Sequence, residues 1–381
     1  MLDGKNVVLG ITGSIAAVTV VELAHELRRR GATVRAVMTD AAEGIVHRDV
    51  VSYATDAEAV TELTGAVEHV ELCGKDGWAD SCLIAPATAN TIGKIAGGID
   101  DTPVTTTVTT ALGAGIPVVV APAMHEGMFD HPGVDANLET LETWDIAVVP
   151  PRIEEGKAKI ATADTIALET ARATEPNPLA GAHVVVTSGA TAEPIDPVRV
   201  LTTQASGRTG RAVAKGIYEN GGQVTLLHNN EAVSYADVRS VETAAEMTEA
   251  AIETASEADA LVSAAAISDY TVEPADEKLP SGADLSLDFE PTAKLVDSVR
   301  EAHPELPIIG FKLESDSESL PESARMLQER VGMEFVVAND STALGGDQTA
   351  VEFVFEHETW SFEGSKAELG QKIAEQLEQV T

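Results

Sequence analysis

The chain has 381 residues, 44% of them hydrophobic and 23% charged, with 62 acidic against 25 basic side chains and a formal net charge of −37. Such a field repels polyanions, which excludes a general nucleic-acid or anionic-membrane binder and leaves few cations for any phosphate site. The length exceeds what one hydrophobic core usually sustains, so two domains are expected. The acidic residues are spread through ordinary α/β sequence, so disorder explains them poorly; a salt-rich cytoplasm that screens the surface explains them better. Cys73 and Cys82 are the only cysteines and form no CxxC, which points to a reducing compartment and away from a disulfide framework or zinc site. No uninterrupted apolar run of about 18 residues and no leader-like segment at Met1 is present, so a cytoplasmic protein with no membrane partner is expected.

In chain order, Asn6–Gly10 reads as a strand and Ser14–Arg30 as a helix with Ile15, Val18, Leu23 and Leu27 near one face, stopped by Gly31. Strands follow at Thr33–Met38, Cys82–Ala85, Pro117–Ala121 and Ile146–Val149, alternating with helical stretches as a doubly wound parallel sheet requires. The two-proline stretch from Thr174 to Gly181 is the best linker. Alternation then restarts with strands at His183–Thr187, Gln223–His228, Ala260–Ser263, Pro307–Phe311 and Phe335–Ala338, a closing strand near Val351–Phe355 and a helix over Lys366–Val380. The expected architecture is α/β, two doubly wound, mainly parallel-sheet Rossmann-like domains spanning residues 1–175 and 181–381.

Each half opens on an apolar strand running into small residues: GKNVVLGITGSIAA (Gly4 to Ala17) and GAHVVVTSGATAEPIDPVR (Gly181 to Arg199). Such a turn presents bare backbone N–H groups to an anion, so each is a candidate nucleotide site. GITGSIAA is GxxGxxA and lacks the GxGxxG spacing of a dinucleotide fold. Thr39 and Pro86-Ala-Thr-Ala-Asn90 end neighbouring strands and face the same edge, where hydroxyls and helix N-termini suit a phosphate.

PATANTIGKIAGGIDD (Pro86 to Asp101) and PVVVAPAMHEGMFDHP (Pro117 to Pro132) resemble the flavin-mononucleotide-dependent cysteine decarboxylases, specifically phosphopantothenoylcysteine decarboxylase. The resemblance implies FMN held by Gly13, Ser14, Thr39, Ala87, Thr88 and Asn90, with His69 of EHVELCGKDGWAD as the acid/base group. It also implies substrate contacts from Asn90, Met124 and His125, and a transient oxidation of the substrate thiol that lets CO₂ depart, with no net redox change. Two departures stand out. The family's PAMN reads Pro122-Ala-Met-His125, and the usual flap cysteine is missing from Pro150-Pro-Arg-Ile-Glu-Glu-Gly-Lys-Ala-Lys159, leaving Lys157, Lys159 or a water as proton donor. Both changes look like an archaeal branch.

SGATAEPIDPVRVLTTQASGRTGRAVAKG (Ser188 to Gly216), SAAAISDY (Ser263 to Tyr270), GFKLE (Gly310 to Glu314) and VVANDST (Val336 to Thr342) resemble phosphopantothenate–cysteine ligase. That implies activation of 4′-phosphopantothenate by CTP with Mg²⁺ and capture by cysteine, with Lys278, Thr203 and Arg199 catalytic and Ala264, Asp269, Lys278, Lys294 and Phe311 on the substrates. No residue is assigned to the metal. Thr203 stands where the family has an asparagine, so Gln204 is a candidate substitute. The family's sites lie between subunits, which implies a homo-oligomer with a trimeric flavin domain and a dimeric ligase domain. The residues alone also admit a tandem NAD(P)-dependent oxidoreductase, or a flavin-binding regulatory protein that has lost its chemistry.

Overall fold

The computed structural model describes residues 2–154, 156–174, 176–229, 232–282, 284–314, 319–340 and 346–381. Glu155 of the flap, Glu175 of the linker and Ser341 and Thr342 of VVANDST lie outside the described residues. The chain divides into two compact units, Met1–Pro176 and Asn177–Thr381.

The strands of the first unit are β1 (Asn6–Ile11), β2 (Thr33–Met38), β3 (Ser81–Ala87), β4 (Val118–Pro122), β5 (Met124–His125), β6 (Ala147–Val148), β7 (Arg152–Glu154) and β8 (Lys157–Lys159). Five form a parallel sheet ordered β2-β1-β3-β4-β6; the others make a small antiparallel sheet ordered β5-β8-β7. The central strands are apolar on both faces because helices cover both. Val7, Leu9 and Leu83 face one core with helices Val20–Arg29 and Ala163–Thr174, while Val8, Ile84 and Val120 face the other with helices Ala89–Ala96 and Pro103–Ala114. The expected single helix from Ser14 splits into a 3₁₀ turn, Ile15–Thr19, and an α-helix, Val20–Arg29. Ile15 and Val18 are consequently exposed, at 77% and 57%, instead of joining Leu23 and Leu27 in the core. The tighter 3₁₀ winding eclipses residues three apart and turns this pair off the α-helical apolar face.

In the second unit the strands are β9 (His183–Thr187), β10 (Ala192–Asp196), β11 (Arg199–Thr202), β12 (Gln223–His228), β13 (Asp237–Ser240), β14 (Ala260–Ser263), β15 (Tyr270–Thr271), β16 (Glu290–Pro291), β17 (Ile308–Glu314), β18 (Phe335–Asp340), β19 (Gln348–Val354) and β20 (Thr359–Ser365). Eight form one sheet ordered β13-β12-β9-β14-β17-β18-β19-β20, parallel through β18 and antiparallel beyond it. The sequence reading placed one closing strand where a hairpin stands, and missed edge strand β13 and the β10–β11 hairpin. Helices Arg208–Glu219 and Lys366–Leu377 pack backbone to backbone. A Cβ on Gly370 would lie 2.2 Å from the Ala212 carbonyl oxygen, and one on Gly216 would lie 2.5 Å from the Gly370 carbonyl.

Candidate active sites

In the first unit the sheet order reverses between β1 and β3, the position where parallel α/β sheets open a crevice beyond their strand ends. The segments leaving β1, β2, β3 and β4 line a cavity of about 620 Å³ there, including Gly13, Ser14, Thr39, Thr88, Asn90 and Met124. Its size falls in the range of about 300–1,000 Å³ typical of small-molecule sites. Each hydroxyl opens a helical turn: Ser14 accepts from Ala16 N–H, Thr39 from Ala42 N–H and Thr88 from Thr91 N–H. Gly13 has no room for a side chain, since a Cβ there would meet that of Ala41 at 2.5 Å. Buried Thr12 ties two of these segments together, donating to the Pro86 carbonyl at 2.7 Å and accepting the Thr88 N–H at 3.1 Å. Thr12→Val leaves that buried carbonyl and N–H unpaired, and a loss of about 1–3 kcal/mol is expected in urea unfolding. Ala87 is fully buried and lines no cavity; its carbonyl accepts the Ala123 N–H at 3.0 Å, so it supports the wall from behind.

A second cavity of about 500 Å³ shares Ser14, Ala123 and Met124 with the first and is lined also by His125, Arg152, Lys157 and Lys159. His125 on β5 stands opposite Lys157 on β8 in the antiparallel register. His69 lies elsewhere, half-buried in the helix Glu68–Cys73, and lines neither cavity. Its Nδ1 is buried without a hydrogen-bond partner. The helix follows Val67, a β-branched residue at φ 55°, a left-handed conformation that costs about 1–3 kcal/mol and needs support from its surroundings. Behind it Cys73 and Cys82 are fully buried, and the Cys73 hydrogen bond together with burial pushes the Cys82 thiol well above its ordinary pKa.

In the second unit β9 ends in Thr187, whose hydroxyl accepts the N–H groups of Ala264 and Ala265, each at 3.1 Å. Ser188 donates to the Gly207 carbonyl at 2.9 Å, and a Cβ on Gly210 would lie 2.7 Å from that of Ser188, so the Ser206–Gly210 turn closes directly on the strand end. The resulting cavity of about 150 Å³ is lined by Gly189, Gln204, Ser206, Arg208, Ala264, Ala265, Ala266, Phe311, Asn339 and Lys366, among others. A neighbouring cavity of about 160 Å³ holds Asp269 and Lys294, which are ion-paired, and shares Ala265 and Phe311 with the first.

Three expected catalytic residues lie outside both cavities. Thr203 is exposed, accepts the Ala205 N–H at 3.4 Å, and leaves the cavity wall to Gln204. Lys278 is exposed in an irregular segment. Arg199 binds Asp196 at 2.6 Å and the Leu279 carbonyl at 3.2 Å, joining β11 to the Lys278 segment. Asp196 is fully buried; burial raises its pKa, but N–H donors from Val198, Leu279 and Arg199 and the Arg199 charge outweigh it and hold the carboxyl below its ordinary value. Arg208 and Lys366 are the site residues that sequence reasoning missed. They open helices far apart in the chain, and only the SGRTG motif hinted at the first. Among the described residues no group of three or more His, Cys, Asp or Glu side chains is placed to hold a metal ion, and no helix is long and apolar enough to cross a membrane.

Residues 1–174 match the Flavoprotein family and residues 179–380 match the DNA/pantothenate metabolism flavoprotein C-terminal domain. The Coenzyme A biosynthesis bifunctional protein CoaBC of Thermococcus kodakarensis is 47% identical over 93% of this chain and 89% of its own length. The protein of the same name from Methanocaldococcus jannaschii is 33% identical over 100% of this chain and 95% of its own. Among solved structures, the C-terminal domain of a CoaBC protein is 25% identical, with a TM-score of 0.46, over 53% of this chain and 97% of that one.

Proposed function

The chain belongs to the family of bifunctional coenzyme A biosynthesis proteins, which join cysteine to 4′-phosphopantothenate and decarboxylate the product, and from that premise we propose a separate chamber for each reaction. Residues 1–175 form the decarboxylase domain and 181–381 the CTP-dependent ligase domain. The observation that carries this reading is the pair of cavities, one beyond the strand ends of each parallel sheet, each lined by the turns in which the two halves begin.

The first chamber fits FMN. Its volume, the hydroxyls of Ser14, Thr39 and Thr88, the amide of Asn90 and the close approach enforced at Gly13 suit a ring system carrying a polyhydroxyl chain and a phosphate. When bound, the flavin supplies the electron sink that a cysteinyl carboxylate lacks. His125 donates to the substrate carboxylate, and Lys157 or Lys159 across the adjoining cavity returns the final proton. His69 serves the chamber of a second copy, which accounts for its distance from its own. Exposed apolar residues Ile15, Val18, Val50, Tyr53 and Val70 on this unit support such an assembly, a trimer of flavin domains with dimeric ligase domains.

In the ligase, Asp269, Lys294 and Phe311 hold the nucleoside while Gln204 replaces the amide missing at Thr203. Mg²⁺ enters on the triphosphate. Lys278 and Arg199 act on the acyl-cytidylate from the segment that Asp196 anchors, or from a second copy. The acidic surface belongs to a salt-rich cytoplasm and to an archaeal branch of the family.

The test supplies 4′-phosphopantothenate, cysteine, CTP and Mg²⁺ and follows pyrophosphate and CO₂. Both products are expected from yellow protein that releases FMN on denaturation. Colourless protein that forms pyrophosphate alone refutes the decarboxylase assignment, and consumption of no nucleotide refutes the ligase.

A further inference from the structure

Asp196 makes more bonds than its own hairpin requires. For the turn between β10 and β11 one oxygen is enough: Oδ1 accepts the N–H groups of Val198 at 2.8 Å and Arg199 at 2.9 Å. Oδ2 leaves the hairpin and accepts the N–H of Leu279, 83 residues on, at 3.1 Å, together with the Arg199 guanidinium at 2.6 Å. The same guanidinium nitrogen donates to the Leu279 carbonyl at 3.2 Å, so the Asp196–Arg199 pair holds both backbone polar groups of one distant residue. The Asp196 side chain is fully buried, whereas an exposed carboxylate would close the turn without the cost of desolvation.

Leu279 directly follows Lys278, and the peptide around it has little else to hold it. Pro274 and Pro280 lack N–H donors. Among the described residues, the backbone hydrogen bonds of 273–280 all go to the β10–β11 hairpin: Leu279 through the pair above, and Ala275 N–H to the Ile195 carbonyl at 3.0 Å. β10 is shaped for this contact. Its pairing with β11 slips between Pro194 and Asp196, and the bulge leaves the Ile195 carbonyl out of the ladder and re-aims the strand at the segment. Lys278 therefore stands between two anchored points, Ala275 and Leu279, with its own side chain exposed.

Resting on the ligase reading, which brings Lys278 to the acyl-cytidylate, we propose that Asp196 is a positioning residue for that reaction: with Arg199 it latches the peptide at Leu279 and so sets where the Lys278 ammonium stands. Asp196 itself touches no substrate. Its contribution falls on the step in which Lys278 meets developing charge and leaves the binding of CTP alone. A carboxylate that only stabilises its hairpin behaves differently, since its loss lowers the rate whatever residue stands at position 278.

The test follows pyrophosphate release by the full chain in magnesium-containing, high-salt buffer, at enzyme concentrations high enough to read residual rates, for the parent, Asp196→Asn, Lys278→Gln and the double variant. Asp196→Asn is expected to lower kcat by about 10- to 100-fold, as for misplacement of a reacting group. Its KM for CTP stays within about twofold of the parent, and the double variant matches Lys278→Gln within about twofold, because the latch acts through that lysine. Limited trypsin digestion gives a readout apart from activity: cleavage after Lys278 is expected to run about tenfold faster in Asp196→Asn, as local opening becomes easier. Parental kcat, a further loss on the Lys278→Gln background, or unchanged cleavage after Lys278 each overturns the proposal. Should Asp196→Asn fail to fold, Arg199→Lys replaces it, since a single ammonium keeps the charge beside Asp196 but cannot also hold the Leu279 carbonyl; unchanged cleavage after Lys278 there overturns the latch as well. Parent protein that consumes no nucleotide is a different failure, that of the ligase reading, and the digestion still reports whether the latch exists.

Discussion

His69→Asn is expected to abolish CO₂ release, by about 10²–10⁴-fold, while pyrophosphate release continues at the parental rate. The size follows from losing a proton-transfer group at a step where the departing carboxylate and the substrate thiol both change charge. Asparagine keeps the approximate shape and polarity, so the short helix Glu68–Cys73 retains its packing through Leu72 and Cys73. Because His69 lines neither of the two cavities described in its own unit, the defect is also expected to be complementable. Mixing denatured His69→Asn protein with a variant blocked in the chamber, such as Gly13→Val, and refolding them together restores CO₂ release through mixed assemblies. Absence of any restored activity, with both variants confirmed as oligomers, removes the intersubunit role.

The second large effect concerns salt. With a net charge of −37, the folded chain holds more like charge in a small volume than the unfolded one. The screening length is about 30 Å at 0.01 M ionic strength and about 3 Å at 1 M, so repulsion between neighbouring carboxylates persists in dilute buffer and largely vanishes in molar KCl. Relief of about 3 kcal/mol, modest beside a stability of about 5–15 kcal/mol, raises Tm by about 6–12 °C for units of this size. A melting temperature that stays flat between dilute and molar KCl would sink the salt-rich cytoplasm as the explanation of the acidic surface.

The fold was legible where burial on both sides dictated composition. β9, β12 and β14 have the boundaries that their apolar runs and flanking glycines or polar residues imply. What escaped was short, mixed or exposed. β10 carries Pro194 and pairs with only one partner strand, and β20 alternates Trp360 and Phe362 with polar residues and Gly364, so neither reads as a buried run. Ile15 and Val18 misled because apolar spacing cannot distinguish a core face from one awaiting a partner. In the sites, strand-end hydroxyls and glycines are local signals and emerged from the sequence. The meeting of Arg208 with Lys366 depends on a helix contact between distant segments, and no local pattern records it. Ala87 sits one residue before Thr88 but is fully buried at the end of β3, a distinction that motif membership cannot make.

Ser14, Ala123 and Met124 stand as a shared partition between the two chambers of the first unit. On the proposed reading, anyone reshaping this enzyme for a bulkier thiol therefore has no independent control of cofactor room and substrate room. A larger residue at position 123 narrows both, whereas the far rim at Arg152 and Lys159 borders one chamber alone and is the place where tolerance for new substrates can be engineered.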